Sequence, residues 1–336
     1  MKIYNCIKKN KNKFSLFTTP SHDGKFYILH KFYQWYKLDV SEIDAIEPEK
    51  ALIQAELDAA KIYGTKYTKF LTNGSSSGVI SAILASNPKK ILIWDKAHSC
   101  HKNGAKLTNA TIIEYSLPYD NDLGVYRSIT LDMVNSLLEE HQPDTLIITS
   151  PTYEGFVADI IGIKNLCAKH NTILIVDEAH GALYPFSDRL PLSAVKYADF
   201  TIQSLHKTAG GINPTALLHS NNIDPTEALK MISTTSPSYP MLASIEANIR
   251  FLNSARGRKY INNLINNIEE LNLPKLNDDI TKILVKGGNK LSELIFDKYN
   301  IEDERANEQT LMFLCGIGTD KKKLDKLKHA LKNIGF

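Results

Sequence analysis

Short apolar runs of β type alternate with helical segments through the first two thirds of the chain. Strands are predicted at residues 69–72, 91–94, 111–115, 145–149, 173–176, 200–203 and 215–219. Between them lie helices at 48–63, near 131–140 and near 160–170, and an apolar stretch at 79–85. The first helix opens on Pro48, which suits a first helical turn, and stops before Gly64. Such strands, separated by helices, predict an α/β fold with a mostly parallel central sheet covered on both faces. Past residue 240 the texture changes. A long helical stretch over 241–271 leads through Pro274 to a strand at 280–285, a helix, a strand at 311–315 and a lysine-rich helix from Asp320. The expected division is an N-terminal segment 1–45, a large domain 46–245 and a smaller α+β domain 246–336.

Composition narrows the classes. Apolar residues make up 43% of the 336, enough for a buried core and too many for a mostly disordered chain. Forty Lys and Arg against 37 Asp and Glu leave +3, too near neutral to suggest nucleic acid as a partner. No apolar run approaches the roughly 18 residues of a membrane-spanning helix, so no membrane partner is expected. Cys6, Cys100, Cys167 and Cys315 are far apart with no C-x-x-C pair, which argues against a disulfide framework or zinc ribbon and for a reducing cytoplasm. Lys2, Lys8, Lys9, Lys11 and Lys13 crowd the N-terminus, but lysine abounds along the whole chain and Arg is scarce. Compositional bias explains that run better than a presequence.

Several strand ends carry polar chemistry. Asp177 directly follows an apolar strand, at the sheet edge where open α/β folds bind ligands, although a loop cap would use the same residue. The letters around it, V-D-E-A-H-G, also spell a helicase box, but the chain has no G-x-x-x-x-G-K-[ST] phosphate loop. Lys207 sits in Ser204-Leu205-His206-Lys207-Thr208, again after a strand. A lysine there suits a Schiff base, because burial lowers the amine pKa, but a snorkelling surface lysine is the plainer alternative. Gly74, Ser75 and Ser76 form a turn before a helical stretch, where amides and hydroxyls can meet a phosphate. His98, Cys100 and His101 are close in sequence, but the carboxylates and histidines are not clustered as a ligand set, so no metal is expected. A phosphate cradle, a carboxylate, an amine and an aromatic ring, each from a strand end, together fit pyridoxal 5'-phosphate (PLP).

Longer motifs sharpen this. Thr19-Pro20-Ser21-His22-Asp23-Gly24, Ala55-Glu56-Leu57-Asp58-Ala59-Ala60 and residues 71–78 follow the blocks of one family, as do Ser150-Pro151-Thr152-Tyr153-Glu154-Gly155, Asp177-Glu178-Ala179-His180-Gly181, Q-S-L-H-K-T at 203–208 and T-S-P-S-Y at 235–239. The chain resembles the Orn/Lys/Arg decarboxylase family (major domain) of fold-type-I, aspartate-aminotransferase-like PLP enzymes. The resemblance implies roles position by position. Lys207 bonds the cofactor, and Asp177 keeps its pyridine nitrogen protonated. Gly74, Ser75, Ser76, Ser204 and His206 surround the phosphate. Thr152, Ala179 and His180 line the ring, and Thr235, Ser236, Ser238 and Tyr239 close the site across a homodimer interface. The family's H-K-S reads His98-Ser99-Cys100 here, with His101-Lys102 as a rival. Matching Asn109-Ala110 to the family's Gly-Ala selects His98 to stack on the ring.

The implied activity is decarboxylation of a basic amino acid of ornithine, lysine or arginine type, with His98 or Lys207 returning the proton to Cα. Two departures bear on it. Asn213-Pro214 stands where members often have Thr-Gln, putting substrate choice in doubt. The chain also reads as a minimal version, without the family's N-terminal wing or C-terminal extension. The alternatives are an aminotransferase or another PLP lyase, and a catalytically weakened regulatory homologue. Aminotransferases of this fold clamp the substrate carboxylate with a small-domain arginine. Arg305, in Glu302-Asp303-Glu304-Arg305, is expected to be neutralised by its neighbours, and Glu304 is a candidate for a distal cation.

Overall fold

The computed structural model describes residues 15–17 and 48–335. The T-P-S-H-D-G segment at 19–24 and most of the segment 1–45 lie outside the described residues. The first part of the chain runs α1 (Pro48–Tyr63), β1 (Tyr67–Leu71), α2 (Gly74–Ser86), β2 (Lys90–Trp94), α3 (Ser99–Leu107), β3 (Thr111–Tyr115), α4 (Leu131–His141), β4 (Thr145–Thr149), α5 (Ile160–Lys169), β5 (Ile173–Asp177), β6 (Phe200–Ser204), the single turn α6 (Leu205–Thr208) and β7 (Ala216–Ser220). These strands form one seven-stranded sheet, ordered β1-β7-β6-β5-β4-β2-β3. β7 alone runs antiparallel, to both β1 and β6.

Period-two alternation explains how both faces are buried. Leu92, Leu146, Ile148, Leu174 and Val176 point into one apolar cluster with Val134 and Leu138 of α4 and Ile160 and Ile163 of α5. Their sequence neighbours Ile91, Ile93, Ile147 and Ile175 join the opposite cluster with Val79, Ala82 and Ile83 of α2 and Ala105 of α3. A strand buried on both faces needs apolar residues at successive positions, which is the pattern the sequence carries.

The chain continues through α7 (Thr226–Ile232), α8 (Tyr239–Leu252), α9 (Ala255–Glu269), β8 (Lys282–Lys286), α10 (Gly288–Tyr299), β9 (Arg305–Ala306), β10 (Thr310–Leu314) and α11 (Lys321–Ile334). β8, β10 and β9 form a small antiparallel sheet in that order. The helical stretch expected over 241–271 is two helices. Ser254 Oγ accepts the Gly257 N–H at 3.1 Å, a fresh N-cap. The turn is tight enough that a Cβ on residue 257 would stand 2.1 Å from the Phe251 carbonyl oxygen. The expected division at residue 245 falls inside α8.

The small sheet is tied to the large one. One apolar cluster joins Tyr63 and Leu205 to Leu264 of α9, Phe313 of β10 and Leu327 of α11. Below it, the loop ahead of β8 docks on the loop after β4. The Asp278 and Asp279 N–H groups donate to the Gly155 carbonyl at 3.1 and 3.0 Å, and Asn277 Nδ2 donates to the Glu154 carbonyl at 2.6 Å. Asp279 and Lys282 form an ion pair with both side chains fully buried, and Tyr184 donates its hydroxyl to Asp279 at 2.6 Å. Among the described residues no helix is long and apolar enough to cross a membrane.

Candidate active site

The carboxyl ends of β2, β4 and β5 and the turns after β1 and β6 open onto one cleft of about 580 Å³. This is the edge of a parallel sheet where strand ends and helix starts meet. Gly74, Ser75 and Ser76 line it from the start of α2, His98 from the start of α3, and Asp177, Ala179 and His180 from the end of β5. His206 and Lys207 complete the group from α6.

Lys207 is the amine at the centre. Its Nζ lies 2.9 Å from Nε2 of His180. Burial is the main force pushing the amine below the ordinary lysine range; Asp177 pulls it up, while Lys282 adds to the lowering. His180 is itself held neutral, well below the usual histidine range, first by burial and then by the cations of Lys207, Lys282 and His206. Its ring meets Tyr153 edge-on at 4.9 Å.

Asp177 ends β5 with its carboxyl 7% exposed. Its Oδ1 accepts the Ala179 N–H at 3.1 Å, and its Oδ2 lies 2.9 Å from Nε2 of His101. Burial alone would raise this carboxyl; the hydrogen bond and charge of His101, with Lys207 and the Ala179 amide, bring it below the ordinary Asp range.

At the start of α2, the Gly74 N–H donates to the Pro214 carbonyl at 2.8 Å. Gly74 has φ +75°, a conformation that favours glycine. The amides of Ser75 and Ser76 belong to the first turn of α2, where N–H groups have no acceptor four residues back. Asn213 and Pro214, the departure from the family pattern, lie on the cleft wall beside them. His206 Nδ1 donates to the Thr215 carbonyl at 3.2 Å. Ser204 is fully buried at the end of β6, and its hydroxyl has no partner among the described residues.

His98 is exposed on the wall as the N-cap of α3, its Nδ1 accepting the Cys100 N–H at 3.3 Å. His101 is 1% exposed and does not line the cleft. The expectation that histidines and carboxylates are not clustered is therefore corrected. Cys100, His101 and Asp177 bring one donor atom each within 4.8 Å of one another. Residues 76 positions apart make this contact, which no spacing rule exposes. Burial pushes the Cys100 thiol up to about 12.

Thr152 is fully buried and off the cleft wall; its Oγ1 accepts the Phe156 N–H at 3.1 Å, shaping the loop that carries Tyr153 and Glu154. Thr235 and Ser236 are exposed, Ser238 is half-buried and Tyr239 buried, and none of them lines the cleft. Sequence reasoning also missed how Arg305 is held. It reaches the cleft wall, but its partner is Glu154 from the loop after β4, at 3.0 Å, rather than its own neighbours. Glu304 accepts the Tyr153 hydroxyl at 2.7 Å. Trp94 and Tyr126 add an aromatic wall, their rings edge-on at 5.4 Å.

The profile of the Orn/Lys/Arg decarboxylase major domain matches residues 5–283. An arginine decarboxylase of Bacillus anthracis is 28% identical over 332 residues, covering 88% of this chain and 67% of the relative. Among solved structures, the constitutive lysine decarboxylase of Escherichia coli superposes with a TM-score of 0.76 at 20% identity, over 93% of this chain and 55% of the other. This chain thus spans little more than half of that enzyme. An alanine–glyoxylate aminotransferase from Nostoc sp. superposes with a TM-score of 0.68 at 15% identity, over 90% of this chain and 91% of the other.

Proposed function

The chain belongs to the Orn/Lys/Arg decarboxylase family (major domain), and from that membership we propose that it removes the α-carboxylate of a basic amino acid with PLP bonded to Lys207. The observation that carries the reading is the convergence of a depressed lysine amine, an ionised buried carboxylate and a helix N-terminus on one cleft. These residues fit PLP. Lys207 offers an amine held below the ordinary lysine range, Asp177 a carboxylate for the pyridine nitrogen, and the first-turn amides of Ser75 and Ser76 donors for the phosphate. The Ser204 hydroxyl, without a partner among the described residues, is fully buried and off the cleft wall.

When bound, PLP supplies the electron sink that accepts the bonding pair as the Cα–carboxylate bond breaks and CO2 leaves. Asp177 holds the proton on the pyridine nitrogen, the state in which that sink is deepest. His180, neutral and 2.9 Å away, orients the Lys207 amine. His98, on the cleft wall, would hold the ring and would deliver a proton to Cα, with Lys207 the alternative donor. Trp94, Tyr126 and Tyr153 give the cleft an aromatic wall. The smallest active unit in this reading is a homodimer in which Thr235, Ser236, Ser238 and Tyr239 complete the partner's cleft; that none of them lines the cleft of its own chain supports this.

A second reading, transamination, has one observation in its favour: Arg305 reaches the cleft wall, where aminotransferases keep an arginine for the substrate carboxylate. Its pairing with Glu154 counts against that use. A panel of amino acids assayed for CO2 and for keto acid separates the two. Decarboxylation predicts CO2 and an amine from a basic amino acid; keto acid without CO2 overturns it.

A further inference from the structure

Asp177 has to remain ionised while buried, and an ionised carboxylate taken that far from water is costly unless hydrogen-bonded and paired. One oxygen is served locally by the Ala179 amide. The other is served by His101, from a different strand–helix unit. The surroundings of His101 show that it is not there for packing. The other buried residues of α3 are small, Cys100, Gly104 and Ala105, and the interior beside them is apolar. Among the described residues the ring's one polar contact is Asp177, and Nδ1 has no partner. A histidine serving the core alone would satisfy both nitrogens or give way to an apolar side chain. His98 and His101 stand one helical turn apart at the start of α3, one on the cleft wall and one behind it.

We propose that His101 is a positioning residue for the reaction: its imidazole orients Asp177 and keeps it ionised, so that the carboxylate holds the proton on the cofactor's ring nitrogen. This rests on the PLP reading above. Burial would otherwise push the Asp177 carboxyl up, and the contact with His101 is the first of the effects that bring it down. A neutral or misaligned Asp177 would leave the ring nitrogen without its counter-charge. His101 touches neither cofactor nor substrate and acts only through the carboxylate.

The test is a double-mutant cycle on the PLP-loaded protein, comparing wild type, His101→Leu, Asp177→Asn and the double variant. The readouts are PLP affinity, the visible absorption spectrum, turnover, and the melting curve without PLP. In the wild-type background His101→Leu is expected to lower turnover and PLP affinity about tenfold each and to change the visible band; in the Asp177→Asn background the same change should cost less than about twofold. His101→Gln, whose amide nitrogen reaches where Nε2 sits, should recover most of the loss, and His101→Asn, one methylene shorter, should not. Equal losses in both backgrounds, an unchanged spectrum, or Gln no better than Asn would overturn the inference. Should His101→Leu fail to fold, the Gln and Asn pair decides by the same criterion. A wild-type protein that binds no PLP overturns the underlying reading and this inference with it; one that binds PLP and decarboxylates while His101 proves uncoupled overturns the inference alone.

Discussion

The amine of Lys207 stands 2.9 Å from Nε2 of His180, and burial pushes both groups below their ordinary pKa ranges. Burial is the first cause for both, and the charge of Lys207 adds to the lowering at His180. Lowering a lysine's pKa raises the share of its neutral, nucleophilic form. Lys207 should take PLP as a yellow adduct that borohydride fixes onto this residue, and Lys207→Ala should lose roughly three orders of magnitude or more in turnover. Peptide mapping of the reduced protein checks the site. A colourless protein, or label on another lysine, contradicts the assignment.

Asp177→Asn keeps the shape of the side chain and removes its charge. PLP should still bind through the phosphate end and Lys207, while the bond-breaking step slows by roughly two to three orders of magnitude. Single-turnover rates at saturating cofactor, beside a melting curve, distinguish this from a structural role. A loop cap would pass to the amide with modest, parallel changes in stability and rate.

Gly155 has φ +94°, and a Cβ there would stand 2.9 Å from Asn277 Nδ2 and 3.0 Å from Lys282 Cδ. Gly155→Ala should therefore destabilise the fold by about 2 kcal/mol or more, from the left-handed backbone and the crowded loop junction together. Because the same loop carries Tyr153 and Glu154 into the cleft, KM should rise as well. Urea titration reads the stability, and an unchanged midpoint would contradict the docking described for this loop.

His219 is fully buried, its Nδ1 2.9 Å from Thr68 Oγ1, and burial pulls its pKa from 6.5 down to about 3. A group depressed in the folded state contributes stability that is present above its unfolded pKa and lost as pH falls. The loss should begin near pH 6.5 and continue towards pH 3, reaching about 2 kcal/mol at pH 5 from this residue. Melting temperatures at pH 7.5 and 5 for wild type and His219→Gln check it, and the variant should show the smaller drop. Equal drops would mean that His219 does not carry this part of the acid sensitivity.

What the linear chain determined is what local patterning can encode. α1 begins at Pro48 and ends ahead of Gly64, and β4 occupies 145–149, because burial on both faces leaves a run of apolar residues wherever the strand goes. Asp177 and Lys207 were legible for a related reason. Polar residues that follow directly on an apolar strand fall at the sheet edge, and both line the cleft. The break at Asn253-Ser254 was overlooked although Ser254 and Gly257 are a readable capping pair; an apolar stripe that continues on both sides masked it. The pairings inside the site were decided only by the tertiary structure. His101 meets Asp177 across 76 residues, and Glu154 meets Arg305 across 151. The first contact exists because β2 pairs with β4 and β4 with β5, which brings the start of α3 beside the end of β5. The second exists because the loop before β8 docks on Gly155. Strand order and docking follow from how whole surfaces pack, and a sequence records its own periodicity but not which surface lies opposite.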